Sequence, residues 1–375
     1  MTVTGRGISP PKFYEILLFI NTIFLILVIR FGLHIDLHPD YGFSIVKVFV
    51  LGLFLYLCIF ILFSAIVVSI KSGVQRGKKL IKSFVRISSL ISYARIFLLM
   101  ISTVYCYVWL KLFIPLLNHR LFDNFFYPLD ESLHLGIDPN RFLIALFPYS
   151  WLLRFLDFEY GAFHLTLILG ISFFLATPST SERARFAGSF SLLWLAGVWL
   201  YVIFPTVGPC YLFPGDFQGI LKNMPMVGHL QHLLMQNYLT IKAFGRSNEV
   251  RKIIPVFGVA AFPSLHVASH AFLTFWARTR NRAVFLFFAT LTFLTFIGSV
   301  ITGWHYAIDG YAGIVLAGTV VWMFDRRPKT ESLPRRLVVD LTPLTGIGEL
   351  QTQQAVSPTP NFQENSKIAP AFRRS

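Results

Sequence analysis

Long apolar stretches separated by short polar ones dominate the chain. Apolar runs occupy 13–31, 44–70, 96–117, 162–177, 187–204, 263–278, 283–302 and 306–324. A helix that crosses a bilayer needs ~20 mostly apolar residues, so each run predicts a spanning helix, the fourth and sixth being short. A further stretch, 142–155 (FLIALFPYSWLLRF), is shorter still and is broken by Pro148. It predicts an element that lies along the membrane interface or re-enters the membrane. The expected fold is all-α and integral to the membrane, with about eight transmembrane helices. Residues 1–95 would hold two N-terminal spans and a basic cytoplasmic loop. Residues 96–324 would hold the remaining six spans. Residues 325–375, rich in Thr, Pro, Gln and Ser, read as a disordered cytoplasmic tail.

Charge orients these elements. Only 14% of the 375 residues are charged against 55% hydrophobic, and the net charge is +15. Soluble domains carry about 25% charged residues. The excess positive charge belongs to loops: Lys71, Arg76, Lys78, Lys79, Lys82, Arg86 and Arg95 crowd residues 71–95 with no acid among them. The segments 180–186, 278–282 and 325–329 are also basic. By the positive-inside rule all four are cytoplasmic, which places both termini in the cytoplasm and the segments 32–43, 118–161, 205–262 and 303–305 on the opposite face. No basic–aromatic pattern for nucleic acid is present, so membrane lipids are the expected partners. Cys58, Cys106 and Cys210 are too scattered for a disulfide framework. Basic residues precede the first apolar run without a small-residue cleavage pattern, so that run reads as a retained span.

Polar groups at membrane depth are costly and point to function. Two clusters qualify. AFPSLHVASHAF (261–272) holds Ser264, His266 and His270, and TGWHYAIDGYAG (302–313) holds His305 and Asp309. The topology puts both on the non-cytoplasmic face, His266 starting the sixth span and His305 the eighth. His305 and Asp309 are four apart and share a helix face. A carboxylate on one ring nitrogen fixes the tautomer and leaves the other a better nucleophile. Pro263-Ser264 reads as a helix start with Ser264 as N-cap, whose free amides suit a phosphate. An oriented histidine, a second histidine for proton transfer and an anion-binding helix start together suit phosphoryl transfer through a phosphohistidine. His270, one turn beyond His266, reads as support or packing. The short spacings His229/His232 and His34/His38 read as surface loops, and no metal or cofactor is expected.

PSLH (263–266) followed by HYAID (305–309) resembles the second and third motifs of the phosphatidic-acid phosphatase type 2 superfamily. The resemblance implies that His305 attacks phosphorus, Asp309 orients it, and His266 protonates the leaving oxygen. It spans roughly 96–324. The superfamily's Lys-x6-Arg-Pro motif is missing, its Ser-Arg pair falls on Gly298 and Ser299, and the Gly of its Pro-Ser-Gly-His is Leu265. The inositol phosphorylceramide synthase-like branch is more similar, with Pro-Ser-Leu-His, His-Tyr-x-x-Asp and a preceding FPTVGP (204–209). It implies head-group transfer to a lipid hydroxyl, with simple hydrolysis as the alternative. Pro263, Ser264, Thr206, Tyr306, Arg251 and Lys252 are the expected substrate-binding residues, with Arg246 a further candidate for neutralising phosphate. DESLHLGIDPNRF (130–142) is a candidate wall of the site. Two other classes compete: a histidine-rich metal enzyme, whose histidines would sit on the cytoplasmic face, and a transporter using His266, His305 and Asp309 as a proton relay.

Overall fold

The computed structural model describes residues 12–27, 40–244 and 258–325, all within one compact unit. Every regular element among the described residues is a helix, without strands. In chain order the helices are α1 (Phe13–Leu27), α2 (Asp40–Ser72), α3 (Val74–Phe84), α4 (Ile87–Leu117), α5 (Asp123–Leu133), α6 (Pro139–Leu146), α7 (Ser150–Gly161), α8 (Phe163–Leu175), α9 (Thr180–Ile203), α10 (Pro209–Leu212), α11 (Pro214–Leu221), α12 (Pro225–Phe244), α13 (Leu265–Ala277), α14 (Arg282–Ile301) and α15 (Ala307–Asp325).

Each of the eight apolar runs contains a helix. Five of these are long and apolar enough to cross a membrane: α2, α4, α9, α14 and α15. A sixth candidate is the pair α7 and α8, bent by 50° at Ala162. The stretch around 142–155 therefore does not stand alone. Its second half is α7, which with α8 forms either a broken span or a re-entrant pair. Helix α1 has 15 residues and α13 has 13, below the length of a full crossing. The loops 118–161 and 205–262 carry much of their length as the short helices α5–α7 and α10–α12. The tail 325–375, apart from Asp325, lies outside the described residues.

Local signals start the helices where the sequence places them. Ser179 accepts from the amide of Glu182 at the head of α9, and Asn281 accepts from Ala283 and Val284 at the head of α14. Asp138 caps α6, with Pro139 in the first turn where a missing N–H costs nothing. Arg280 reaches Glu182 at 3.1 Å, which brings two basic segments, 180–186 and 278–282, together at one end of the bundle.

Helices within a bilayer associate by close packing rather than by water exclusion, so small residues mark the crossings. Helix α13 packs on both α14 and α15, and α4 on α9. Phe174, Phe186, Phe190 and Phe272 fill the centre. Leu265, the residue at the superfamily's Gly position, is buried in the notch left by Gly197 of α9, where a Cβ would lie 2.4 Å from its side chain. At the α13–α15 crossing a Cβ on Gly313 would lie 2.5 Å from the Ser264 carbonyl oxygen. That neighbour is backbone and cannot step aside. Gly313→Ala is therefore expected to lower the melting temperature in detergent, at a cost of about 1–3 kcal/mol. Gly219→Ala, with open space around its Cβ, should leave melting unchanged. Equal melting of the two variants would show that the crossing is not closely packed.

Candidate active site

The two motifs meet at the starts of α13 and α15. The Ser264 amide donates to the Asp309 carbonyl at 2.9 Å, tying one helix start to the other. Ser264 is the N-cap of α13, its hydroxyl accepting from Val267 at 3.4 Å. His266 follows in the first turn, and its ring centroid lies 6.1 Å from that of His305. The His305 Nδ1 faces the Asp309 carboxylate at 3.4 Å, and the same carboxylate oxygen accepts from the Tyr306 amide at 3.0 Å. The second oxygen of Asp309 is buried without a hydrogen-bond partner. Contacts of this kind are often long before substrate binds.

Both histidines line a cavity of about 50 Å³. Its other walls are Tyr160 and Trp304, the apolar Val207, Leu230, Leu234, Val259 and Ala260, Gly258, and Lys111. Lys111 stands near the end of α4. Its ammonium lies 5.7 Å from the Tyr107 ring and 5.6 Å from the Tyr201 ring. No carboxylate among the described residues forms an ion pair with it. Phosphate-neutralising charge is expected from sequence in the loop before PSLH. Arg246, Arg251 and Lys252 lie outside the described residues, and the cation in the described wall comes from the third apolar run instead. The available signal was a lysine inside residues 96–117, where charge is costly unless used.

The remaining expected residues divide. Val207 of FPTVGP faces the cavity, whereas Thr206 does not line it. The Thr206 hydroxyl accepts from the Phe262 amide at 2.8 Å and its carbonyl from Ala261 at 3.1 Å, so it supports the PSLH approach from behind. Pro263 follows a cis peptide bond. The Tyr306 hydroxyl turns away and donates to Asp123 at 3.0 Å. His270 is fully buried, with Nδ1 on Thr295 at 2.8 Å and Nε2 on Thr166 at 2.9 Å. Its nitrogens are thus both occupied within the bundle. His229 is on α12, and His34 and His38 fall outside the described residues.

A frame of polar side chains holds the turn that presents His305. Asn140 donates to the carbonyls of Val300 at 2.7 Å and His305 at 3.1 Å, and Gln231 donates to that of Thr302 at 2.8 Å. Asp130 accepts from the first amides of α15, Ala307 at 3.0 Å and Ile308 at 2.8 Å. Burial pushes the Asp130 carboxyl above its ordinary value, and these two amides oppose that rise. Asp123 accepts from Val207 and Gly208 as well as from Tyr306. Gly208 has φ 97°, and a Cβ there would lie 2.6 Å from the Trp304 carbonyl oxygen, so FPTVGP is pressed against the His305 turn. The segment 130–142 thus touches the site through Asp130 and Asn140.

The fold and the cavity define an all-helical membrane protein whose paired histidines meet at the starts of two helices. Residues 125–323, just over half of the chain, match the family model of the PAP2 superfamily. The chain belongs to that superfamily, and it is an enzyme of phosphatase or phosphotransferase type acting on phosphate esters. No curated protein and no solved structure matches it.

The frame makes its own prediction. Asp130→Ala leaves two buried amides without an acceptor, which costs about 1–3 kcal/mol. A lower melting temperature together with reduced turnover is the expected result. Asp130→Asn keeps one acceptor oxygen and should lose less. An unchanged melting temperature for both variants would remove Asp130 from the frame.

Proposed function

We propose that the protein is a phosphotransferase that moves a phosphate-bearing head group from a membrane lipid to a lipid hydroxyl, in the manner of inositol phosphorylceramide synthases. The observation that carries this reading is the cavity itself, where two histidines from separate helices face a lysine. In the first half-reaction the free ring nitrogen of His305 attacks phosphorus, with Asp309 holding the other. A nitrogen–phosphorus bond forms and the bond to the leaving oxygen breaks, while His266 gives that oxygen a proton. In the second, the acceptor hydroxyl attacks phosphorus, His266 takes its proton, and His305 is released. Lys111 neutralises the phosphate in both steps and takes the place of the missing Lys-x6-Arg-Pro cation. The positive end of α13 favours the same anion through its dipole, while the Ser264, Leu265 and Val267 amides themselves are bonded to the Asp309 carbonyl, the Tyr201 hydroxyl and the Ser264 hydroxyl. Arg251 and Lys252 belong to the proposed phosphate clamp by their closeness in sequence to Gly258, Val259 and Ala260, which line the cavity. Thr206 and Tyr306 act on substrate through the backbone they hold.

The same proposal takes all eight apolar runs as spans, with both termini cytoplasmic and the site on the opposite face. The gathering of residues 180–186 and 278–282 at one end favours it. Hydrolysis is the second reading. It uses the same first half-reaction, with water as the acceptor.

The test uses the full chain in detergent with a panel of phospholipids and lipid phosphates, with and without ceramide or diacylglycerol, followed by mass spectrometry. Wild type is expected to consume a phospholipid and yield a new lipid only when an acceptor is present. His305→Ala should abolish both, and Lys111→Met should lower kcat/KM about 10²–10³-fold, the range for losing one charge-stabilising donor. A water-soluble head-group phosphate formed without acceptor would establish hydrolysis. Equal turnover by wild type and His305→Ala would end the phosphohistidine reading.

A further inference from the structure

The break between α7 and α8 delivers two aromatic rings to His266. The Tyr160 hydroxyl lies 3.2 Å from His266 Nδ1, with ring centroids 4.9 Å apart. Phe163 meets the same imidazole edge-on at 4.4 Å. Tyr160 also lies nearly parallel to Trp304, at 6.0 Å and 7°, so the ring that touches one histidine leans on the neighbour of the other. Tyr160 is 7% exposed, and among the described residues His266 has no carboxylate partner of the kind Asp309 gives to His305.

A chain of buried polar groups holds the break in place. Glu159, just before it, accepts from the Thr295 hydroxyl at 2.7 Å. Thr295 bonds His270 Nδ1, and His270 Nε2 bonds Thr166, just after the break. One limb is thereby fastened to Thr295 of α14 and the other to His270 of α13, and these two bond each other.

Resting on the phosphoryl-transfer reading above, we propose that Tyr160 is the positioning residue of the acid–base histidine. Its oxygen accepts from His266 Nδ1–H and so fixes the proton on that nitrogen. Nε2 is then the nitrogen that exchanges protons with the cavity. His266 enters the first half-reaction as the imidazolium, with a second proton taken from solvent on Nε2. It gives that proton to the leaving oxygen, is left neutral with Nδ1–H, and takes a proton on Nε2 from the acceptor hydroxyl in the second. The phenol keeps its own proton throughout. The opposite tautomer, with a neutral Nε2–H, could not accept a proton from the acceptor. Asp309 and Tyr160 therefore perform the same task for two histidines, one with a charged oxygen and the other with a neutral one. A neutral partner suits a group that must both gain and lose a proton, because it does not pin the imidazolium as a carboxylate would.

The first measurement needs no substrate. Full-length protein carrying ¹⁵N-histidine, in phosphatidylcholine liposomes, is examined by solid-state NMR, with the His266 signals assigned by their loss in His266→Ala. At a pH where His266 is neutral, wild type is expected to show its proton on Nδ1, and on acidification the second proton is expected to arrive on Nε2. Tyr160→Phe, which removes only the oxygen, should shift His266 to a mixture of tautomers with the melting temperature retained. On a phospholipid that wild type consumes, the same variant should lose kcat about 10–100-fold, part of what an acid–base group supplies, with KM little changed. An Nε2–H tautomer in wild type overturns the proposal, as does a His266 spectrum that Tyr160→Phe leaves unaltered. A tautomer shift in a protein whose lipid turnover does not depend on His305 would instead keep the positioning contact and discard the phosphohistidine reading.

Discussion

The crossing of α13 and α15 is the contact on which the site depends. One backbone hydrogen bond, from the Ser264 amide to the Asp309 carbonyl, fixes the starts of two helices whose chemistry-bearing residues are forty positions apart. Gly313 lets the backbones come that close. The position of His266 then follows from one helical turn, and that of His305 from the turn before α15. Within a bilayer there is no hydrophobic gain from pressing two apolar helices together, so the geometry must come from fit and from hydrogen bonds. Leu265 seated on Gly197 and Phe272 packed among Phe186 and Phe190 supply the fit.

Three acidic side chains carry out the complementary work at the same end of the bundle. Asp123, Asp130 and Asp157 each accept from two consecutive backbone amides, at 207–208, 307–308 and 226–227. Asp130 and Asp157 do so at helix starts, where free amides and the helix dipole both favour negative charge. Burying a carboxylate is costly without such partners. Here the cost is offset locally, and the return is a rigid wall around the His305 turn. Asn140 and Gln231 extend the wall through carbonyls that would otherwise have no donor.

The motif pair and its helix starts were legible in the sequence because each rests on local rules. Ser264 is a cap and Pro263 precedes a helix, whereas His305 and Asp309, expected to share a helix face, divide: His305 lies in the turn before α15 and Asp309 in its first turn. The apolar runs were equally plain, although α7 could not be joined to α8 from the pattern: Pro148 hid the start of α7, and a single glycine, Gly161, is a weak marker of the bend at Ala162. What escaped is what only tertiary packing decides. Thr206 and Tyr306 looked like pocket residues by proximity in sequence, but their polar atoms are turned to Phe262 and Asp123. Tyr160 sits more than a hundred positions from His266, in a segment read as an outer loop. Lys111 was concealed by its company, since a single lysine does little to the average of an apolar run.

Lys111 also changes how the departures from the superfamily pattern should be weighed. Loss of the Lys-x6-Arg-Pro motif removes a set of charges from a fixed place, not the need for charge. An ammonium held between Tyr107 and Tyr201 has no carboxylate beside it, and the faces of two aromatic rings stabilise it only modestly. It is therefore a cation kept short of a full partner, in a wall shared with two histidines. The neighbouring walls, Val207, Leu230, Leu234, Val259 and Ala260, offer nothing for a polar head group to bond and much for an acyl chain to touch. A charge at one side and an apolar lining at the other is the division that a lipid phosphate ester itself presents.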